Sequence, residues 1–254
     1  MTPHLDIITA LMHREIAVRF GEERLSYLWA FIVPLSWIGF GILAFAAFDR
    51  QIPISTHPAL FLATGILPYV IFRQTLTYVT RSVVAARRIL DLPNVRFFHL
   101  IIAFAILEAL TAAVICAIVL LGLVWILDAA SLANLPSLIL VFCLTWSIGV
   151  AISVFTSRLA LRVSAVTRVL PLLLRPFFWI SGVFFVATEI PPDWIWVLNI
   201  NPLFSLIDGG REAAFQTYNS PVYAPSSTLT FLFAIVVAIC VASMIKHQSR
   251  GLAG

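Results

Sequence analysis

The segment LIIAFAILEALTAAVICAIVLLGLVWIL, Leu100–Leu127, contains a single charged residue, Glu108. A helix rising ~1.5 Å per residue needs about 20 mostly apolar residues to cross a ~30 Å hydrocarbon core. This run exceeds that length and is too long for an ordinary buried helix. Its solvent is lipid, and that decides the fold class.

Outward from it, five further runs meet the same criterion. Leu28–Phe48, Leu132–Ser157 and Val222–Ile245 carry no charge, Ala59–Thr80 contains Arg73, and Val169–Thr188 contains Arg175. The chain is 61% hydrophobic and 11% charged, where a soluble domain carries about 25% charge. The expected fold is an all-α polytopic membrane protein with six transmembrane helices. Residues 1–27 form a cytoplasmic amphipathic lead, and residues 28–254 form a single six-span domain.

Basic residues set the orientation, because cytoplasmic loops accumulate them. With the N-terminus inside, the cytoplasmic side holds Arg14, Arg19, Arg24, Arg81, Arg87, Arg88, Arg96, Arg158, Arg162, Arg168, Lys246 and Arg250. The outside holds Arg50 and Arg211. Both termini are therefore expected in the cytoplasm. A cleaved signal peptide, hinted at by AFA at Ala44–Ala46, fits poorly, since its apolar region is typically 7–15 residues. In the lead, Leu5, Ile8, Met12, Ile16 and Phe20 follow helical spacing, interrupted by Glu15 and Arg19. That pattern suits a helix lying along the membrane face.

The stretch EIPPDWIWVLNINPLFSLIDGGREAAF, Glu189–Phe215, is too apolar for a solvent loop and too broken for a span. Irregular backbone at membrane depth survives only where protein buries it or water reaches it. Short apolar segments broken by Pro191, Pro192, Pro202 and Gly209–Gly210 read as re-entrant outer helices between spans five and six. An interfacial loop anchored by Trp194 and Trp196 is the alternative.

Several function classes drop out. Lys246, the only lysine, lies between Ile245 and His247, so there is no Walker loop of the Gly-Lys-Ser/Thr kind. No HExxH and no clustered aspartates appear. Cys116, Cys143 and Cys240 sit in separate apolar runs as inert thiols. His4, His13, His57, His99 and His247 are scattered over loops and helix ends, without ligand spacing. No metal or cofactor is expected in this chain, nor any binding of nucleic acid.

The charges inside spans are costly and point to partners or water. Glu108 is positioned to pair with Arg73 or Arg175. One carboxylate cannot neutralise both at close range, leaving one guanidinium for an anionic substrate. Aromatic rings stack on sugar faces, and Phe177, Phe178, Trp179, Phe184 and Phe185 crowd span five. By helical spacing Phe177 and Phe184 share one face and Phe178 and Phe185 another, with a lipid-facing or dimer-facing role as the alternative. The candidate substrate path is thus Arg73, Arg175, Phe177, Trp179, Phe184 and Phe185.

REIAVRFGEERLSYLWAFIVPL (Arg14–Leu35), SGVFF (Ser181–Phe185) with the following Ile190-Pro191-Pro192, and NPLFSLIDGGREAAF (Asn201–Phe215) resemble, in order, the ABC-2 type polysaccharide export permeases. The likeness is in particular to group 2 capsule permeases, the KpsM family, and covers essentially the whole chain. Ser26 stands where that pattern has a glycine, and Ser205 and Asp208 stand where it has a His and a Glu. The resemblance implies a homodimeric channel in the bacterial inner membrane that exports a lipid-linked capsular polysaccharide. It also implies a separate cytoplasmic ATPase dimer that binds the ATP, a periplasmic co-polymerase adaptor and an outer-membrane exporter.

On that resemblance the basic loop Arg81–Phe98 reads as the ATPase docking element, helical until Pro93 ends it. Positive-inside charge on anionic lipid is the alternative. The coupling candidates are Arg14, Glu15, Arg87, Arg88, Asp91 and Arg96. Ser157–Arg168 fits a gate helix or plain orientation charge. The outer-gate candidates are Trp194, Trp196, Asn201, Pro202, Asp208 and Arg211. An O-antigen or drug permease of the same superfamily, a membrane-embedded enzyme and an assembly subunit remain as alternatives.

Overall fold

A computed structural model describes residues 3–20, 26–127 and 132–224. Among these the chain is helical, without strands: α1 (Pro3–Phe20), α2 (Ser26–Ala47), α3 (Pro58–Ala85), α4 (Phe97–Ile126), α5 (Leu135–Arg162), α6 (Val166–Ile180), α7 (Pro192–Asn199) and α8 (Pro202–Ala214). A 3-10 turn, Arg87–Asp91, lies between α3 and α4. Three helices, α3, α4 and α5, are long and apolar enough to cross a membrane, and α2 holds a shorter apolar run, Phe31–Ala47. The expected sixth span, Val222–Ile245, falls outside the described residues but for its first three.

The long helix α3 is the hub, packed by α2, α4, α5, α6 and α8. Its first half, Ala59 to Phe72, is buried without interruption, so it reads as an apolar run rather than an amphipathic pattern. His57 caps its start by accepting from the Ala59 N–H at 3.2 Å, and Pro58 occupies the first turn where no N–H is needed. The α3–α5 contact is close because Gly149 faces α3: a Cβ there would come within 3.1 Å of Thr75 Cβ. The Thr80 and Thr156 hydroxyls bond across the same seam at 2.7 Å.

The helix α4 is built oppositely. Ile102, Ile106, Leu110, Val114, Ile118 and Leu121 recur at helical spacing and are all exposed. So large an apolar stripe is untenable in water, where surface patches of this size mark interfaces, and it is ordinary in lipid.

One expectation needs correction. The fifth run is not one helix through Thr188. It stops at Ile180 as α6, ~22 Å long at 1.5 Å per residue and short of the hydrocarbon thickness. The chain then turns through Ser181–Val186, with Gly182 at φ 76, a left-handed conformation that glycine adopts freely. A Cβ on Gly182 would also strike Phe204 at 2.7 Å. The apolar stripe on α1 divides between exposed and packed positions. Leu5 and Ile16 are exposed, while Leu11 and Glu15 are buried and Ile8 and Met12 partly so. The face that packs is turned toward α4, with which α1 has its main contact.

At its C-terminal end, α3 gives way after Ala85 to the 3-10 turn, with Pro93 and Asn94 (φ 72) beyond it. The helical reading of this loop therefore holds as far as Asp91, with a tightened last turn. Ser157–Arg168 is not a separate helix: its first part ends α5 and its last residues begin α6.

Candidate functional site

Three groups of polar residues stand out against the apolar body. The outermost is built on α8 and the turn after α6. Arg211 is fully buried, and its two terminal nitrogens donate to carbonyl oxygens of that turn, Nη2 to Val183 at 2.7 Å and Nη1 to Phe185. The guanidinium lies 4.2 Å above the Phe61 ring of α3. Gly65, one turn on, is what lets it in: a Cβ there would sit 2.8 Å from the Val183 oxygen and 2.9 Å from Nη2. Burial lowers the guanidinium to about 10, against the pull of Asp208, so it remains charged at neutral pH.

Asp208, one turn earlier on α8, is equally buried. It accepts from the Tyr218 hydroxyl at 2.8 Å, the Ser220 hydroxyl at 2.6 Å and the Ala187 N–H at 3.2 Å. Burial and this carboxylate raise the Tyr218 phenol above its ordinary value, keeping it a donor. Asn201 caps α8 through Leu203 N–H and donates to Ser181 Oγ at 2.9 Å. The last turn of α8 is closed from outside, as Ala133 and Asn134 donate N–H groups to Ala214 and Ala213 carbonyls at 3.1 and 2.8 Å.

The outer-gate candidates therefore separate. Asn201, Pro202, Asp208 and Arg211 gather on α8, whereas Trp194 and Trp196 on α7 are exposed. Ser205 donates to the Val222 carbonyl at 3.0 Å. Tyr218 and Ser220 were not singled out from sequence; their order, Asp208 then Tyr218 and Ser220, carries no periodic signal.

The middle group is the proposed substrate path, which the structure does not bring into one lining. Arg175 is exposed and Arg73 half-buried, and neither has a side-chain hydrogen bond or ion pair among the described residues. Phe177 and Trp179 are exposed on α6. Phe184 and Phe185 lie beyond the end of α6, so the helical spacing that joined Phe177 to Phe184 does not apply. Phe184 is buried against Phe45, Phe178 and Trp179, and Phe185 stacks toward Phe204 at 5.9 Å. These two rings hold the turn in place.

The inner group corrects the partner of Glu108. Its carboxylate does not meet Arg73 or Arg175 but accepts from Arg19 of α1 at 2.8 Å. The reason is geometric, since α1 packs along α4 and delivers its own guanidinium. Of the coupling candidates, Arg14, Arg87, Arg88, Asp91 and Arg96 are exposed, whereas Glu15 faces inward. His4 and His99, scattered in sequence, meet at 3.1 Å where α1 begins. Arg158 lies over the Phe97 and Phe98 rings at 5.1 and 5.5 Å, joining the end of α5 to the start of α4.

Comparison with known proteins fits this arrangement. A family model described as ABC-2 type transporter matches residues 7–215. The chain is 31% identical over 220 residues to the polysialic acid transport protein KpsM of Escherichia coli, covering 84% of this chain and 83% of that one. It is 26% identical over 266 residues to the capsule polysaccharide export inner-membrane protein BexB of Haemophilus influenzae, covering 97% and 92%. It is 23% identical over 262 residues to the O-antigen export system permease protein RfbA of Klebsiella pneumoniae, covering 96% and 93%.

The two arginines Arg211 and Arg175 should behave oppositely in stability. Arg211→Gln strands two carbonyls in the buried turn and should cost about 3 kcal/mol, as expected for losing a charged, buried hydrogen-bonding group. Arg175→Gln should change stability by less than about 0.5 kcal/mol. Unfolding of the purified variants in mixed micelles measures both, and equal losses would remove the distinction.

Proposed function

The chain belongs to the ABC-2 type transporter family, and from that premise we propose that it is the channel-forming permease of an ABC exporter for capsular polysaccharide. It is a multi-pass membrane protein. In this reading two copies form the channel in the bacterial inner membrane, with both termini cytoplasmic. A lipid-linked, acidic polymer crosses it, driven by a separate ATPase dimer. A periplasmic co-polymerase adaptor and an outer-membrane exporter continue the route.

One observation carries the reading beyond the family. The chain has no Walker lysine, yet it presents Arg87, Arg88 and Asp91 exposed on the 3-10 turn joining two long apolar helices. A permease that cannot hydrolyse ATP needs such a rigid, charged projection to receive work from a partner that can. The likeness to the KpsM and BexB proteins supports a capsular polymer, and that to the RfbA permease supports O-antigen as the second reading.

Within this reading α7 and α8 form the re-entrant outer cap, α8 sealed inside the protein and α7 at its rim. Arg175 and Arg73 serve as guanidiniums along the path, able to hold carboxylates in paired hydrogen bonds. Phe177 and Trp179 offer ring faces to sugars from the same helix as Arg175. Phe184 and Phe185 support the turn instead.

Charge reversal at Arg87 and Arg88 should weaken co-purification with the ATPase by at least about tenfold, or about 1.4 kcal/mol, while the chain stays folded. Normal assembly and export would reduce these arginines to orientation charge. Arg175→Gln should lower polymer export while the ATPase remains bound, and Arg175→Lys should restore it in part, because lysine lacks the paired geometry. Undiminished export by Arg175→Gln would remove that residue from the path. In a chain whose native cysteines are replaced, a cysteine at Leu203 should resist a bulky aqueous thiol reagent that labels one at Asn219. Equal labelling would turn the α7–α8 cap into a surface loop.

A further inference from the structure

Tyr78 sits near the inner end of α3, less than two turns before the helix stops at Ala85. Its hydroxyl donates to Glu15 Oε1 at 2.6 Å, and its ring lies under the Arg19 guanidinium at 4.2 Å. Glu15 and Arg19 are one helical turn apart on α1, so a single tyrosine holds two opposite charges of the same helix by two kinds of contact. Ser82, the next turn of α3, adds a second donor to Glu15 at 3.1 Å. Arg19 continues to Glu108 of α4 at 2.8 Å. Three helices are thus tied by one chain of polar contacts, with Glu15 and Glu108 both buried.

The placement of α1 follows. Between His4 and Arg19 it advances ~22 Å, while its partners on α4, His99 and Glu108, are separated by ~13 Å along that helix. The helix therefore crosses that end of α4 obliquely, held against it by side-chain contacts at both of its own ends. It is fixed at its start by the His4–His99 contact and at its end by the polar chain, with Leu11 buried between.

We propose that Tyr78 is a positioning residue of the transport cycle, locking α1 to α3 and α4 so that these three helices move as one body when the ATPase closes. The inference rests on the permease reading above. The physical reason is the burial of both carboxylates, Glu15 and Glu108. A buried carboxylate that loses its donors is left as an unpaired charge at high cost, so the lock is held or broken and does not stretch gradually. The helix that carries Tyr78 leads into the 3-10 turn with the exposed Arg87 and Arg88, and near its other end Phe61 and Gly65 receive Arg211. Force entering at the 3-10 turn reaches α1 and α4 through the lock and the outer cap through α3.

Tyr78→Phe keeps the ring under Arg19 and removes only the hydroxyl, while Arg19→Gln removes the charge and Arg19→Lys keeps it. Each is made in the full complex, and polymer export, ATP hydrolysis and co-purification of the ATPase are measured together. The expected result is a loss of about tenfold in polymer exported per ATP for Tyr78→Phe and Arg19→Gln, with hydrolysis and assembly retained and Arg19→Lys intermediate. An unchanged ratio, or export falling only in proportion to assembled complex, would overturn the proposal. The lock is read separately by trypsin cleavage after Arg14 in the complete chain in nanodiscs. It should speed up by about tenfold in Tyr78→Phe as the opened population rises. Unchanged cleavage refutes the lock whatever the export assay shows. Faster cleavage of Tyr78→Phe, where the wild-type complex itself exports no polysaccharide, refutes the permease reading and leaves the lock standing.

Discussion

The buried guanidinium of Arg211 is the constraint around which the outer half is arranged. Once α6 stops at Ile180, the turn that follows exposes carbonyls at a depth where no water is assured. Arg211 reaches them from α8 as a two-pronged donor, and it arrives only because Gly65 leaves room and Phe61 offers a ring face. A shorter or single-pronged side chain would leave part of the turn unpaired. The position of α8, the left-handed Gly182 and the closeness of α3 all follow from that one group. Asp208 then serves a separate task. It gathers Tyr218, Ser220 and Ala187, which folds the segment after α8 back over it.

The helix α3 carries the two polar assemblies at its opposite ends. Between them it is apolar and sealed, from Ala59 to Phe72, with Arg73 opening its inner part. Such a helix is poorly placed to bend, since each side chain is already filled around by neighbours at close-packed density. Its two prolines test this. Pro68 lies in the buried part, where its missing N–H leaves a carbonyl that neighbouring structure must tolerate. The neighbouring Tyr69 then spends its hydroxyl on the Leu174 carbonyl of α6, joining the short fifth helix to the hub.

The long spans were legible in the sequence because the bilayer imposes a length, and α3, α4 and α5 meet it with little charge. The composition of Glu189–Phe215 also announced its brokenness through Pro191, Pro192 and Pro202. The end of α6 was not legible. Ser181–Val186 is as apolar as a span, and only the φ of Gly182 and the carbonyls that accept from Arg211 distinguish a turn from a helix there. Nor was the partner of Glu108. Sequence offered the arginines that share its depth, Arg73 and Arg175, whereas Arg19 is brought in by an N-terminal helix whose inward face is partly charged. A pattern that looks for apolar residues at helical spacing selects Leu5 and Ile16, which stay exposed, and counts Glu15 and Arg19 as interruptions, although these two meet Tyr78 and Glu108.

That failure has a physical basis specific to lipid. In water, burying apolar surface decides which face of a helix turns inward, so hydropathy and burial coincide. Against hydrocarbon there is no such preference, and the exposed Ile102, Ile106 and Leu110 of α4 are as well solvated as buried residues. What orients a helix is then its polar groups, which must find partners. Glu15, Arg19, Tyr78 and Glu108 at one end and Asp208, Arg211 and Tyr218 at the other are few, but they fix the rotation of α1, α4 and α8. The apolar residues fill the space that these contacts leave.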